Sequence, residues 1–364
     1  MKVAHVFKAL NAGGIEKWLT DLSKANRKEN RFKLFFYLQT SSIGFFENNN
    51  DFSDVLIRRY DLALIGYIRY FFALYQGFRK DKIDVVHAHV HHFSGWILFV
   101  AFLAGVKVRV AHCHNDKRNE YKGSGFLKRM YLRISKKLIV LFSNRKIAVS
   151  DLAAESLFPS CLDKVIIIPC GISLDFQSNS NNQVSPRNKA KRKVIGHIGS
   201  FTKQKNHEFI CQLAHDIEKL YPGVFSFQLV GGGPLYEEIR EKSNNLGLGD
   251  VVEFLGLRDD VPWLMNNIFD IVILPSLHEG LAMVALEAQF YGKFLILSDK
   301  LSEQHSLSNY VKYCSIKDTS DFISTLVDFK QPSEDKVNEA KNHIIRSDLN
   351  IDNNLLKISD VYKY

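Results

Sequence analysis

The chain has 364 residues, of which 46% are apolar and 24% are charged. This composition excludes a disordered, collagen-like or disulfide-stapled protein, and the length predicts two domains. The five cysteines are odd in number and never spaced C-x-x-C. They indicate a reducing compartment and no structural zinc.

Charge is distributed unevenly along the chain. Residues 1–176 carry a net charge of +12, residues 177–193 carry +5, and residues 194–364 carry −8. A basic half joined to an acidic half favours two domains that face different partners. Chance variation among solvated faces is the alternative explanation.

Short β-branched runs alternate with amphipathic helical patterns along the whole chain. The predicted strands are KVAHVF, DVVHAH, VRVAHCH, KIAVS, VIIIP, VIGHIGS, FSFQLVGGG, VVEFLG, IVILPS and FLILSD. This alternation predicts an α/β fold with two Rossmann-like domains, residues 1–176 and 194–345, facing a central cleft. The polar, basic segment 177–193 is the predicted linker, and ligands are expected at the carboxyl ends of the strands.

No run of eighteen apolar residues is present, so we expect no spanning helix. The N-terminus MKVAHVF alternates like a strand and lacks a signal-peptide cleavage pattern. We therefore expect a cytoplasmic protein.

Two glycine clusters lie between a predicted strand and a predicted helix. Gly13 and Gly14 occur in NAGGIEKW, and residues 231–233 occur in LVGGGPLYEEI. Glycine lets the backbone approach a ligand, and a helix N-terminus offers N–H groups to phosphate, although tight turns need glycine anyway. Neither G-x-G-x-x-G nor a Walker motif occurs, so neither an NAD enzyme nor a P-loop ATPase is supported.

Histidines are concentrated in HAHVHH and AHCHND, which contain His87, His89, His112 and His114. An H-x-H pair at a strand end can bind zinc. It also places two rings on one face of a strand without any metal. Because no H-E-x-x-H or D-x-D accompanies these pairs, we expect no metal site.

The segment GHIGSFTKQKNHEF follows the linker with a strand, a turn at Gly199 and then Lys203 and Lys205. A lysine beside a glycine turn and a helix N-terminus suits a diphosphate, although a solvated loop would have the same composition.

Two glutamates flank an apolar run in ILPSLHEGLAMVALEAQFYGK. The pattern places Glu279 in the turn after a buried strand and Glu287 inside the following helix. A buried glutamate needs a partner, and ribose hydroxyls or a lysine would serve.

These motifs, in this order, resemble glycosyltransferase family 4, whose members have the two-domain GT-B fold. The most specific element is the E-x7-E motif, Glu279 to Glu287; the supporting motifs are GGIE, DVVHAH, KVIIIPCGIS, GSFTKQKNH, LVGGGP and EFLGLRDDV. The resemblance covers nearly the whole chain. It implies retaining, metal-independent transfer of a sugar from a nucleotide sugar, with no cofactor.

The resemblance also implies roles for individual residues. Glu279 would contact the transferred sugar and Glu287 the ribose, while Lys205 would bind the diphosphate and Arg258 would belong to the nucleobase-binding loop. His114 would lie near the reacting carbon. His112 is the alternative, because AHCHN can be aligned with the family motif two residues earlier. The backbone N–H groups implied in donor binding are those of Gly13, Gly14, Gly280, Leu281 and Ala282.

Two positions depart from the family pattern. Ser200 stands where an arginine usually follows Gly199, and it lacks the charge for a bidentate phosphate contact. Donor affinity, or dependence on Lys203, is therefore in doubt. Cys170 replaces the usual asparagine, which we interpret as a structural change.

The nearest subgroup resembles bacterial capsular, exopolysaccharide and O-antigen enzymes, which extend sugars on a polyprenyl diphosphate at the inner membrane face. Residues 117–146 contain ten Lys/Arg and one acidic residue, interleaved with aromatic and aliphatic side chains. This mixture favours docking on an anionic membrane surface, and no nucleic-acid module is present. We expect a UDP-sugar donor, an acceptor-side N-terminal domain, and a helix over 346–364 that packs back toward it.

Three other functions remain open from the sequence. A metal-dependent hydrolase would use the H-x-H pairs, a GT-B sugar-nucleotide epimerase would need no acceptor, and a lipid-phosphate-binding scaffold would turn nothing over.

Overall fold

A computed structural model describes residues 1–118, 121, 123–174 and 192–363. The chain forms two compact units, Met1–Ser173 with Asp348–Tyr364 and Leu174–Ser347. Most of the predicted linker, residues 177–191, lies outside the described residues.

The first unit is built on a parallel seven-stranded sheet with strand order β3-β2-β1-β4-β5-β6-β7. Its strands are β1 (Lys2–Phe7), β2 (Lys33–Leu38), β3 (Leu56–Arg59), β4 (Val85–Ala88), β5 (Val108–Cys113), β6 (Arg145–Ala148) and β7 (Val165–Ile167). Its helices up to this point are α1 (Gly14–Glu29), α2 (Phe45–Asn49), α3 (Leu62–Asp81), α4 (Ser94–Leu103), α5 (Phe126–Phe142) and α6 (Asp151–Leu157).

The second unit contains a parallel six-stranded sheet with strand order β10-β9-β8-β11-β12-β13. Its strands are β8 (Lys193–Ile198), β9 (Phe225–Val230), β10 (Val252–Gly256), β11 (Ile271–Leu274), β12 (Phe294–Ser298) and β13 (Val311–Cys314). Its helices are α7 (His207–Leu220), α8 (Tyr236–Asn245), α9 (Val261–Asn267), α10 (Met283–Phe290), α11 (Ser320–Val327) and α12 (Glu334–Arg346).

Both sheets have the doubly wound Rossmann order, which confirms the predicted fold class. The strand order reverses between β1 and β4 in the first unit and between β8 and β11 in the second. Ligands of such sheets bind outside the carboxyl ends of the strands at this reversal. The central strands are fully buried, as their continuous apolar runs require.

Helix α13 (Ile351–Val361) returns to the first unit and packs on α1. The buried Trp18 of α1 donates its indole N–H to Asn354 Oδ1 at 2.8 Å. The Asn354 amide donates to the carbonyls of Pro169 (2.7 Å) and Asp348 (3.1 Å). One buried side chain therefore joins α13 to α1 and to the chain just after β7.

No helix in the described part of the chain is long and apolar enough to cross a membrane. The apolar segment 95–106 mostly forms α4. That helix exposes about half of Phe102 and Leu103 at its C-terminal end.

Replacing Asn354 with alanine should destabilise the first unit. The change removes three hydrogen bonds and leaves the Trp18 N–H buried without its acceptor, a loss of about 2–4 kcal/mol. Urea unfolding followed by tryptophan fluorescence measures this loss. Leu356→Ala on the exposed side of α13 is the control, and equal losses in both variants would contradict the assignment.

Candidate functional site

The loop after β8 lies at the strand reversal of the second unit. It contains Gly199 and Ser200, then a 3-10 turn over Lys203–Lys205. A Cβ on Gly199 would lie 3.1 Å from Lys205 Cδ and 3.1 Å from the His197 ring. Glycine at this position therefore leaves room for the lysine side chain to cross the strand end.

Lys205 reaches Glu279, which follows β11 on the other side of the reversal. The Lys205 Nζ–Glu279 Oε1 distance is 2.6 Å, and the side chains are only 16% and 8% exposed. Gln204 donates to the other Glu279 oxygen at 3.1 Å and to the His278 carbonyl at 2.8 Å. The structure thus brings together two predicted site residues, as an ion pair that the sequence did not predict.

The environment of Glu279 keeps its carboxylate ionised. Burial alone would raise its pKa, but the charge and hydrogen bond of Lys205 outweigh burial and lower the pKa below the ordinary glutamate value. A largely buried carboxylate that stays charged can accept hydrogen bonds from ligand hydroxyls.

Helix α10 begins directly after this carboxylate. Gly280, Leu281 and Ala282 lead into it, and the structure records no hydrogen bond from their N–H groups to another described residue. Such groups at a helix N-terminus can bind negatively charged or hydroxyl oxygens. Glu287 lies inside α10 and is 9% exposed, as the sequence pattern predicted.

Among the described residues, the structure records no hydrogen bond or ion pair between Arg258 or Ser200 and the Lys205–Glu279 pair. Arg258 forms a bidentate ion pair with Asp260 at 2.8 and 2.5 Å, which raises the pKa of its guanidinium. Ser200 is partly exposed beside the turn that holds Lys205. The expected nucleobase role of Arg258 therefore competes with a pairing inside its own loop.

Gly231 and Gly233 show why the second glycine cluster is needed. Both have positive φ angles, and a Cβ on Gly231 would lie 2.0 Å from the Gly199 carbonyl oxygen. The turn at Gly199 after β8 and the glycine cluster after β9 are therefore in backbone contact.

In the first unit, Gly13 is the N-cap of α1 and Gly14 is its first residue. Glu16, which sequence reasoning did not single out, lies against Gly13, since a Cβ there would be 2.4 Å from the Glu16 carboxylate. Burial raises the pKa of Glu16 to about 7. Its place in GGIE, two residues after the double glycine, was the available signal.

Five histidines meet at the carboxyl ends of β1, β4 and β5. His5, His87 and His112 are fully buried, His89 is 5% exposed, and His114 is partly exposed. His5 and His87 are paired residues of β1 and β4. The sequence predicted the H-x-H pairs to share a face but missed His5, a single histidine in KVAHVF.

Two sets of three rings, His5/His87/His89 and His89/His112/His114, have nitrogens within 4.8 Å of one another. Burial lowers the pKa of His5 and of His114 to about 3 and that of the other three well below the ordinary value. The rings are therefore neutral, as metal ligands would be. Their hydrogen bonds, described below, use most of the same nitrogens.

Comparisons with known proteins identify the class. The sequence matches Glycosyl transferases group 1 over residues 178–332 and Glycosyltransferase Family 4 over residues 12–176. The crystal structure of Anabaena Alr3699/HepE in complex with UDP is similar to this fold, with a TM-score of 0.76 over 99% of each chain at 19% identity. The two Rossmann-like units form a GT-B fold, and the chain belongs to glycosyltransferase family 4.

Individual relatives agree with this assignment. EpsF of Bacillus subtilis (strain 168), named as a glycosyltransferase, is 31% identical over 83% of this chain and 80% of its own. The capsular polysaccharide biosynthesis glycosyltransferase CapH of Staphylococcus aureus is 22% identical over 96% and 94%. The UDP-Gal:alpha-D-GlcNAc-diphosphoundecaprenol alpha-1,3-galactosyltransferase of Escherichia coli is 26% identical over 83% and 81%. The protein is a glycosyltransferase.

The Glu279 carboxylate should make stability depend on pH in the acidic range. Because its folded pKa is lowered, its contribution is present above the unfolded pKa of about 4.3 and is lost as pH falls through the folded pKa. Urea unfolding of wild type and Glu279→Gln between pH 3 and 7 should give a difference that shrinks on acidification. The exposed Glu241→Gln is the control, and a difference independent of pH would contradict the ionised assignment.

Proposed function

We propose that this glycosyltransferase moves a sugar from a UDP-sugar, with retention of anomeric configuration and without a metal, to a lipid-linked saccharide in cell-surface polysaccharide synthesis. The observation that carries the proposal is the Lys205–Glu279 pair at the β8/β11 reversal, followed by the start of α10. Retention rests on the family resemblance.

Lys205 and α10 supply the charge that diphosphate departure requires. The leaving diphosphate gains negative charge as the sugar bond breaks, and a preorganised cation and helix N-terminus stabilise that charge. In this scheme Lys205 turns from Glu279 toward the diphosphate, with Gly199 giving it room. The Ser200 hydroxyl contributes a neutral contact where relatives are expected to use an arginine.

Glu279 then binds the transferred sugar. Once Lys205 contacts the diphosphate, Glu279 retains Gln204 as a hydrogen-bond donor, and sugar hydroxyls replace the ammonium. Glu287 in α10 binds the ribose hydroxyls, and Gly280, Leu281 and Ala282 offer their N–H groups. We also propose that Gly13 and Gly14 contact the donor and that His114 donates a hydrogen bond to the transferred sugar.

The UDP donor and the lipid-linked acceptor are supported by named relatives. HepE was crystallised in complex with UDP and with UDP-glucose, and the Escherichia coli relative is named for UDP-Gal and a diphosphoundecaprenol acceptor. A lipid-linked acceptor requires the enzyme to work at a membrane surface.

The first unit exposes a surface suited to that location, which we call the α3/α5 surface. In α5, Phe126 and Leu127 are more than 70% exposed beside the exposed Lys128, Arg129 and Arg133. Not every basic residue of 117–146 belongs to it, because Lys146 is buried in β6 and Arg145 donates to the backbone near the end of α13.

Helix α3 extends this surface in a way the sequence did not predict. Leu64, Ile68 and Phe72 are 61–88% exposed, and the backbone is non-helical at Gly66. Helices α3 and α5 both pack against α4, which links the two parts of this surface. Exposed apolar side chains among basic ones are typical of an interfacial membrane surface.

Replacing the two glutamates should have different kinetic effects. We expect Glu279→Ala to lower kcat at least about 100-fold, because the sugar contact strengthens in the transition state. Glu287→Ala should mainly raise KM for the donor, by about 10- to 100-fold, through the lost ribose hydrogen bonds. UDP release from a panel of UDP-sugars with a lipid extract as acceptor measures both, and Glu241→Ala is the control. Wild-type kinetics in both variants would contradict the site.

The α3/α5 surface should bind anionic vesicles. Each basic residue near the membrane contributes about 1 kcal/mol, screened over about 10 Å at 0.1 M salt, while the apolar side chains add a salt-resistant part. Glutamate at Lys128, Arg129 and Arg133 should abolish the salt-sensitive part of co-sedimentation. Serine at Leu64, Ile68 and Phe72 should abolish the salt-resistant part. Glutamate at the exposed Lys24, Lys219 and Lys330, outside α3 and α5, is the charge-matched control. Equal binding to neutral vesicles would contradict docking by charge.

A further inference from the structure

The five histidines that meet at the carboxyl ends of β1, β4 and β5 are joined by hydrogen bonds into two separate lines. In the first line, His5 Nδ1 lies 2.9 Å from His89 Nε2, and His89 Nδ1 lies 2.9 Å from His114 Nε2. This line ends at Cys170, whose Sγ lies 3.5 Å from His114 Nδ1. In the second line, His112 Nδ1 lies 3.0 Å from His87 Nε2, and His87 Nδ1 lies 2.7 Å from the Tyr362 hydroxyl.

These contacts occupy eight of the ten ring nitrogens. The remaining two, His5 Nε2 and His112 Nε2, are buried and have no partner among the residues that the structure describes. A metal ion would have to take nitrogens already used in these bonds. It would also bring a double positive charge into two sets that contain no carboxylate among the described residues. The arrangement fits neutral imidazoles better than it fits a metal.

Each neutral ring has one N–H and one bare nitrogen, so the first line must run in one direction. The direction is set by His5, at the buried end of the line. A proton on His5 Nε2 would leave a buried N–H without an acceptor, and such orphaned donors are rare in proteins. With Nε2 bare, His5 donates from Nδ1 to His89, and His89 donates from Nδ1 to His114 Nε2. The proton of His114 is then on Nδ1.

We propose that His5 and His89 are positioning residues that fix His114 as the neutral Nδ1–H tautomer, so that it acts as a hydrogen-bond donor to an oxygen of the bound sugar. The role of His114 toward the sugar rests on the proposed function; its tautomer does not. Cys170 fits this arrangement, because a neutral thiol is a weak acceptor that a ligand oxygen displaces easily. Burial keeps this thiol neutral by raising its pKa. The asparagine expected from the family would hold the His114 N–H more firmly.

Nitrogen-15 NMR of protein with labelled histidines identifies the tautomer directly. Two-bond correlations from the carbon-bound ring protons give the chemical shift of each ring nitrogen, and a protonated nitrogen has a different shift from a bare one. The His114 signals are assigned by their loss in His114→Phe. We expect wild-type His114 to have the proton on Nδ1. In His89→Phe the donor is gone, and the signals should move toward the Nε2–H form that a free imidazole prefers.

Two variants are the controls for this measurement. His89→Asn keeps an N–H near the position of His89 Nδ1 and should restore the wild-type His114 pattern. Tyr362→Phe removes one hydroxyl from the second line and should leave that pattern unchanged. If wild-type His114 has its proton on Nε2, or if the purified protein contains a metal whose removal by EDTA changes the histidine signals, the proposal is overturned. The wild-type spectrum decides this even where a variant fails to fold.

Kinetics separate this proposal from the proposed function. His89→Phe should lower kcat about 3- to 10-fold, the value of one neutral hydrogen bond, with little change in KM for the donor, and His89→Asn should recover most of it. No transfer by wild type from any nucleotide sugar would contradict the proposed function and leave the NMR result standing. Unchanged kcat in a folded His89→Phe, in an active enzyme, would contradict the positioning role.

Discussion

The parallel direction of the strands is the constraint on which both candidate sites depend. All strands of a sheet end at the same edge, and at the reversal of strand order the connections leave in opposite directions, which opens a crevice. His5 and His87 lie on the two strands that flank the reversal of the first sheet, and Lys205 and Glu279 follow the two strands that flank the reversal of the second. Residues far apart in the chain meet because both folds have this geometry.

Each unit buries polar groups at the crevice of its own sheet, and the two units stabilise those groups in different ways. The second unit keeps a charged pair, in which Lys205 offsets the cost of burying the Glu279 carboxylate. The first unit keeps its five clustered histidines neutral and joins them to one another by hydrogen bonds. A charged pair is ready to exchange partners when an ionic ligand arrives. A neutral hydrogen-bonded line holds its rings in fixed orientations and suits recognition of uncharged hydroxyls.

The sequence predicted the central strands because their apolar runs are continuous. It did not indicate β2, β3 or β13, two of which are edge strands with short or mixed patterns. Glu279, Glu287 and Lys205 were predicted as site residues from the order of the motifs along the chain. The pairing of Lys205 with Glu279, of Arg258 with Asp260, and of His5 with His89 depends on strand register and loop path. No local pattern encodes those contacts, and the same holds for Asn354 and Tyr362, which follow the second unit in the chain.

Helix α13 has a consequence for the order in which the protein is made. In the first unit, Asn354 accepts a hydrogen bond from the Trp18 indole N–H, and the Tyr362 hydroxyl is hydrogen-bonded to His87. Both Asn354 and Tyr362 are synthesised only after the whole second unit. During translation, the first seven strands emerge with these polar groups still lacking their partners. The second unit is continuous in sequence and can fold as soon as it leaves the ribosome. The first unit therefore stays incomplete until the whole second unit has been synthesised, and chaperones would meet an incomplete buried surface at α1 during that interval.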